Sequence, residues 1–169
     1  MKIKIISLTF LLFVCFGFYA CDFNLGRNRN ANYESSIYAP ILLPRSQLSQ
    51  SVQVQSPREI IDRGKIYVRG SYLFVNERYY GIHIIDNSNS LSPQKISFVA
   101  ISGCVDMAVK GNTLYADNAV DLVVFDISSP TNPVLVNRLG NKFSQNRISP
   151  DGYTYPEYVD NYIVGWKRK

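Results

Sequence analysis

One pattern occurs twice between residues 65 and 139, and it constrains the fold more than any other feature of the sequence. The first copy reads KIYVRGSYLFVNERYYGIHIIDNSNSLSPQKISFV, and the second reads DMAVKGNTLYADNAVDLVVFDISSPTNPVLVNRL. Val68 matches Val109 at an offset of 41, whereas Asp86 matches Asp126 at an offset of 40. The second copy therefore lacks one residue, which we expect to be lost in the turn between these anchors. A repeat of about 40 residues built of short strands is typical of a propeller-type array.

Each copy contains four short apolar segments separated by turn residues. Gly70-Ser71 and Gly111-Asn112 mark tight turns at equivalent places. The fourth strand of each copy follows a proline, at residues 95–101 and 134–139. The pattern predicts an all-β fold made of tandem four-stranded antiparallel propeller-like blades, with no amphipathic helix after residue 21. Two copies form an incomplete propeller, because propellers have four to eight blades.

The second copy carries a motif that is similar to a known repeat. Residues 122–126 read LVVFD and are followed by ISSPTNPV, which resembles the repeat of LVIVD-repeat proteins. Residues 82–86 (IHIID) are a looser copy. The resemblance implies a β-propeller-like fold and a place among exported bacterial lipoproteins, often of the Bacteroidetes. It implies no catalytic residues, because the family has no established ones to transfer.

The first twenty residues have the form of a lipoprotein signal peptide. Lys2 and Lys4 precede an apolar run that ends at Tyr19-Ala20-Cys21. This run is shorter than the ~20 apolar residues that a spanning helix needs. The ending resembles a bacterial lipobox, which implies that Cys21 receives lipid and holds the protein at the cell envelope, on the outer membrane. An ordinary signal peptide and a plain N-terminal anchor are the alternatives.

The rest of the chain divides into three parts. Residues 21–57 are rich in Asn, Ser, Gln and Arg and are expected to form a flexible tether. Within this part, residues 37–43 (IYAPILL) are apolar enough to pack on the folded domain or to form an edge strand. Residues 58–140 hold the two repeats, and residues 141–169 a C-terminal loop and a partial strand at residues 162–166 (YIVGW).

Charge and cysteine content exclude some functions. The net charge is +5 and includes Lys2 and Lys4, which would leave with the leader. The remaining charge is too weak and too scattered to indicate nucleic-acid binding. Cys15 lies in the leader and Cys21 is the lipidation site, so Cys104 has no partner for an intramolecular disulfide. Its apolar neighbours predict a buried thiol.

No set of residues indicates catalysis, a metal or a cofactor. Asp86 and Asp126 follow equivalent strands, and their repetition favours Asx turns over a calcium loop. His83 is the single histidine and lies in an alternating strand, as a packing or surface residue. We therefore expect no metal site, no cofactor and no enzymatic activity.

Tyrosine-rich loops are the strongest candidates for binding a partner. Tyr153, Tyr155 and Tyr158 cluster in one loop, and Tyr79-Tyr80 lie in another. The favoured function is a membrane-anchored, noncatalytic binding or scaffolding module for an envelope protein or glycan, with self-association through open blade faces. The alternatives are a fragment of a propeller enzyme that acts on envelope glycans and a degenerate remnant without independent function.

Overall fold

A computed structural model describes residues 33–169 of the chain. The predicted leader and the predicted lipidation site at Cys21 lie outside the described residues. The described part consists mainly of antiparallel strands, which confirms the all-β prediction. Within it, no helix is long and apolar enough to cross a bilayer.

The first repeat forms four strands of a five-stranded antiparallel sheet. The sheet also contains β2, and its strand order is β2-β6-β5-β4-β3. The bounds are Val52–Gln55 for β2, Arg63–Arg69 for β3, Tyr72–Glu77 for β4, Gly81–Asp86 for β5 and Gln94–Ile101 for β6. The predicted four-stranded unit is therefore present, with one further strand paired to its outer edge.

The second repeat forms a four-stranded antiparallel sheet with the same order of strands, β10-β9-β8-β7. The bounds are Met107–Lys110 for β7, Thr113–Asn118 for β8, Asp121–Asp126 for β9 and Val134–Leu139 for β10. The missing residue lies in one hairpin, because Glu77 pairs with Gly81 across three turn residues whereas Asn118 pairs with Asp121 across two. This confirms the expected position of the loss.

A shared apolar core joins the two sheets. It contains Phe74, Ile82 and Val99 from the first sheet and Leu114 and Phe125 from the second, all almost fully buried. Strands whose side chains are buried in this way read as nearly continuous apolar runs, as residues 82–85 and 122–125 do. The two repeats pack as neighbouring blades of an open, incomplete propeller.

Residues 38–55 differ from the flexible tether that their composition predicts. They form β1 (Tyr38–Pro44), a helical turn α1 (Arg45–Leu48), a short 3-10 turn and β2. β2 pairs with β6, and Leu48 is fully buried in a cluster with Val120 and Val164. Distant partners supply the burial that the polar residues 45–55 lack locally, which composition alone does not reveal.

The C-terminal segment ends in β11, which spans Asn161–Arg168. β11 pairs antiparallel with β1, from Tyr38 opposite Arg168 to Pro44 opposite Asn161. The predicted strand at residues 162–166 is confirmed and is longer than expected. The prediction that residues 37–43 can form an edge strand is also confirmed, with β11 as the partner.

Candidate functional site

A cavity of about 420 Å³ lies between the second sheet and the C-terminal segment. Its volume is within the range of small-molecule sites, about 300–1,000 Å³. Side chains of β7, β8 and β11 line it together with residues 143–146. Four of the lining residues are aromatic, namely Tyr79, Tyr115, Phe143 and Trp166.

Tyr79 is held at the cavity wall by backbone hydrogen bonds. It lies in the turn between β4 and β5 with a φ of 69°, which is uncommon for a residue with a side chain. Its N–H donates to the Cys104 carbonyl at 2.7 Å, and its carbonyl accepts from the Gly103 N–H at 2.9 Å. Burial raises the pKa of the Tyr79 hydroxyl, against opposing effects of Arg78 and the Trp166 indole. The hydrogen bonds therefore hold the Tyr79 backbone in place, and the raised pKa keeps the hydroxyl protonated at physiological pH.

Trp166 and Phe143 are positioned by the segments that follow the second repeat. The ring of Trp166 lies 5.1 Å from the ring of Tyr155, which supports it from behind. The N–H groups of Lys142 and Phe143 both donate to the Val120 carbonyl, at 2.8 and 3.0 Å. Phe143 remains 44% exposed, so it lies where the cavity meets solvent.

Two carboxylates, Asp106 and Asp117, line the same cavity. Asp117 is only 8% exposed, and its Oδ1 accepts hydrogen bonds from the Val105 and Asp106 N–H groups at 2.9 and 2.8 Å. Burial raises the pKa of Asp117. Asp106 is more exposed and lies 2.7 Å from the Lys65 ammonium, which lowers its pKa. One wall of an apolar cavity thus carries two carboxyl groups.

The repeats also contain two buried carboxylates that pair with arginines. Glu77 is fully buried, with Arg58 and His83 each 2.7 Å from its Oε2. Burial raises the pKa of Glu77, but the hydrogen bonds from Arg58 and His83 outweigh it, so the pKa is lowered. The arginine therefore compensates a carboxylate that would be costly to bury alone.

The second of these carboxylates is Asp121, which is 1% exposed. The guanidinium nitrogens of Arg45 and Arg138 lie 2.7 and 2.8 Å from its oxygens. Burial raises its pKa, and the Arg45, Asn141 and Arg138 donors lower it further than burial raises it. Arg45 precedes β2 by several residues, so this pair ties the N-terminal segment to the second repeat.

The strands that build this arrangement match one family. The model of the LVIVD repeat matches residues 62–100 and again residues 104–140. Residues 62–140 therefore contain two LVIVD repeats. No curated protein and no solved structure matches the chain. The two LVIVD repeats correspond to β3–β6 and β7–β10, as the sequence resemblance predicts.

The two LVIVD repeats place a buried acid at the same hairpin end but on opposite strands. In the first repeat the acid is Glu77, the last residue of β4, which pairs with Gly81. In the second repeat the acid is Asp121, the first residue of β9, which pairs with Asn118. Sequence comparison misses this relation because the acids do not align, and because their arginine partners lie outside the repeats or in another strand.

Several predicted side-chain roles in the LVIVD repeats are confirmed. The Ser88 and Ser128 N–H groups donate to Asp86 and Asp126 at 2.8 Å, as Asx turns require. Cys104 is a fully buried free thiol, and burial raises its pKa well above the usual value. His83 is fully buried beside Glu77, and burial lowers the pKa of its imidazole. It packs in the first repeat and does not line the cavity.

The predicted tyrosine loop is not a uniformly exposed surface. Tyr155 is 4% exposed, its hydroxyl donates to the Tyr38 carbonyl and its ring lies beside Trp166, so it packs against β1 and β11 and cannot contact a partner directly. Tyr153 is half-buried in a turn closed by Ser149. Tyr158 is half-buried and lines a second cavity of about 740 Å³, which shares Phe143 with the first. Of the other pair, Tyr80 is 53% exposed and Tyr79 lines the first cavity.

Exposed apolar side chains lie on the outer strands of both sheets. Ile66 and Val68 of β3 are 59% and 63% exposed, and Val134 and Val136 of β10 are 52% and 57% exposed. β3 and β10 are edge strands of their sheets. Among residues 33–169, no group of three or more His, Cys, Asp or Glu side chains is placed to hold a metal ion.

Proposed function

We propose that this LVIVD-repeat protein is exported, anchored in the cell envelope by lipid on Cys21, and binds an envelope protein without catalysing a reaction. We infer the binding function from the aromatic cavity beside β11. A concave, largely apolar site with a few polar groups is the usual form of a binding site. Its aromatic residues provide contact area at a small cost in conformational entropy.

The lining of the cavity supports binding rather than chemistry. The described lining contains no histidine or cysteine. Its most buried carboxylate, Asp117, already accepts hydrogen bonds from two backbone N–H groups. A nucleophilic mechanism needs a nucleophile and a base within hydrogen-bonding distance of each other, and a general-acid mechanism needs a carboxyl free to give up its proton. A binding site needs only that a carboxylate such as Asp117 is held in a fixed position where a ligand can reach it.

The anchoring part of the proposal rests on the sequence of the first 21 residues. Replacing Cys21 with serine removes the thiol that would carry the lipid. We expect Cys21→Ser to abolish incorporation of labelled palmitate and to move the protein from the membrane pellet to the soluble fraction. Stable anchoring requires more than one acyl chain. Because the variant would carry none, we expect the shift to the soluble fraction to be nearly complete. Continued labelling and sedimentation of the variant would contradict the assignment.

The binding part can be tested with a photo-crosslinking residue at the mouth of the cavity. Phe143 is replaced by p-benzoylphenylalanine in the full-length protein, which is then irradiated in intact cells. We expect one discrete adduct of higher mass on a denaturing gel. The matched control carries the same residue at Leu91, which is 95% exposed in the turn between β5 and β6.

The position of the adduct decides the outcome. A discrete adduct from position 143 with none from position 91 supports capture at the cavity. Equal smears from both positions, or no adduct from position 143, would contradict it. Self-association through open blade faces stays a prediction. Sedimentation velocity of the purified protein would show it as a shift from monomer to a larger species.

A further inference from the structure

Three carboxylates are buried in the described part of the chain, and two of them share one arrangement. Glu77 faces Arg58, and the Arg58 guanidinium lies 4.1 Å from the centre of the Phe98 ring. Asp121 faces Arg45, whose guanidinium lies 5.5 Å from the centre of the Tyr162 ring. In both places, a guanidinium is held between a buried carboxylate and the face of an aromatic ring.

The third buried carboxylate is Asp117, and it lines the aromatic cavity. Within residues 33–169, no lysine, arginine or histidine forms an ion pair with it, and none lines the cavity. The surrounding rings are those of Tyr79, Tyr115, Phe143 and Trp166. The cavity therefore reproduces two of the three parts of the arrangement seen at Glu77 and Asp121.

Backbone hydrogen bonds hold Asp117 in position but do not neutralise it. The Val105 and Asp106 N–H groups bind one oxygen, Oδ1, and fix the carboxylate at the cavity wall. Burial still disfavours its charged form, because these donors are neutral. A cation in the cavity would offset this cost, and a fixed carboxylate loses little entropy on binding one.

We propose that the cavity binds the guanidinium group of an arginine side chain from the partner protein, between the Asp117 carboxylate and the aromatic rings. This inference rests on the proposed binding function and names the group that the site recognises. A planar guanidinium can stack on a ring and donate to a carboxylate at the same time, as Arg58 and Arg45 do in this protein. An ammonium is a compact point charge that is strongly hydrated, so lysine fits a desolvated aromatic site less well.

The single tryptophan of the chain provides a direct measurement, because Trp166 lines the cavity. The full-length protein in detergent is titrated with acetyl-Gly-Arg-Gly-amide while the Trp166 fluorescence is recorded. The comparison ligand contains citrulline, which has the shape of arginine without its charge. We expect a saturable change with the arginine peptide and binding at least about tenfold weaker with the citrulline peptide.

Two matched variants each remove one negative charge. Asp117→Asn keeps an oxygen that can accept the two backbone hydrogen bonds, and we expect it to weaken arginine binding by about tenfold or more. Glu59→Gln changes a side chain that is 89% exposed and outside the cavity, and should bind as the wild type does. Should Asp117→Asn fold poorly, Phe143→Ala is a second variant, expected to weaken binding severalfold through lost stacking.

The outcomes separate this inference from the proposed function. Equal binding of the citrulline peptide, tighter binding of a lysine peptide or of choline, or unchanged affinity in Asp117→Asn would overturn the arginine assignment. Repeating the crosslinking at position 143 in the Asp117→Asn background adds a second test. An adduct of undiminished yield would overturn the arginine inference while leaving the binding function intact, whereas loss of the adduct supports both.

Discussion

Replacing Gly81 with alanine is expected to destabilise the protein by about 3–5 kcal/mol, enough to unfold much of it at 37 °C. Gly81 begins β5 with a φ of 144°, which side-chain-bearing residues rarely adopt. A Cβ atom at this position would lie 2.0 Å from the Val99 carbonyl oxygen on the neighbouring strand. That oxygen belongs to the backbone of a core strand, so relief requires β5 and β6 to separate. Urea unfolding followed by circular dichroism measures the change.

Gly70→Ala is the matched control for this experiment. Gly70 also has a positive φ, of 53°, but a Cβ there meets no atom within 4 Å. Alanine at this turn therefore costs only the strain of a left-handed backbone conformation, about 1–2 kcal/mol. If both variants unfolded at the same urea concentration, β5 and β6 could not approach each other at Gly81 as closely as the structure shows.

Replacing Tyr155 with alanine is expected to cost about 3–5 kcal/mol, because its buried ring joins three elements. The ring centre lies 5.1 Å from those of both Tyr33 and Trp166, and the hydroxyl donates to the Tyr38 carbonyl. Truncation leaves a void beside Tyr33 and Trp166 and removes the hydrogen bond to the Tyr38 carbonyl. The melting temperature of the variant should fall, and the Trp166 fluorescence should shift to longer wavelength as the indole gains water.

Two milder variants separate the causes. Tyr155→Phe removes only the hydroxyl and should cost about 1 kcal/mol. Tyr153→Ala changes a half-buried neighbour in the same loop and should cost less than about 1 kcal/mol. The opposite order, with Tyr155→Ala stable and defective only in partner binding, would restore the exposed binding role that the sequence predicts for all three tyrosines.

Features that the repeat encodes locally could be predicted from the sequence. The position of each turn follows from Gly70 and Gly111, and the Asx turns follow from Asp86 and Asp126, because these signals act within a few residues. The strand periodicity and the offset between copies are likewise properties of short segments. The family relation and the all-β fold follow from these patterns together.

Features that depend on distant partners could not be predicted. The sequence allows an edge strand at residues 37–43 but does not identify its partner, because β11 lies at the other end of the chain. Tyr155 lies in a segment whose composition is typical of an exposed loop, but Tyr33 and Trp166 bury its ring. The arginine pairs of Glu77 and Asp121 join residues that lie 19 and 76 positions apart. No short-range pattern specifies such contacts.

The cavity itself belongs to this second class of features. Its walls come from the turn after β4, from β7 and β8 of the second repeat, and from β11. Asp117 is the repeat equivalent of Asn76, so the first repeat does not mark it as a recognition residue. Its significance follows only from comparing three buried carboxylates in three dimensions. Among the described residues, Asp117 is the one buried carboxylate without an arginine partner, and this places the proposed arginine site at the cavity.

A crystal structure of the protein with acetyl-Gly-Arg-Gly-amide tests the arginine site most directly. We expect the arginine side chain to enter the cavity, with guanidinium nitrogens about 3 Å from the Asp117 carboxylate and the guanidinium plane against an aromatic ring. A peptide bound at the surface near Tyr153 and Tyr158, or a cavity that excludes the side chain at saturating peptide, would contradict it.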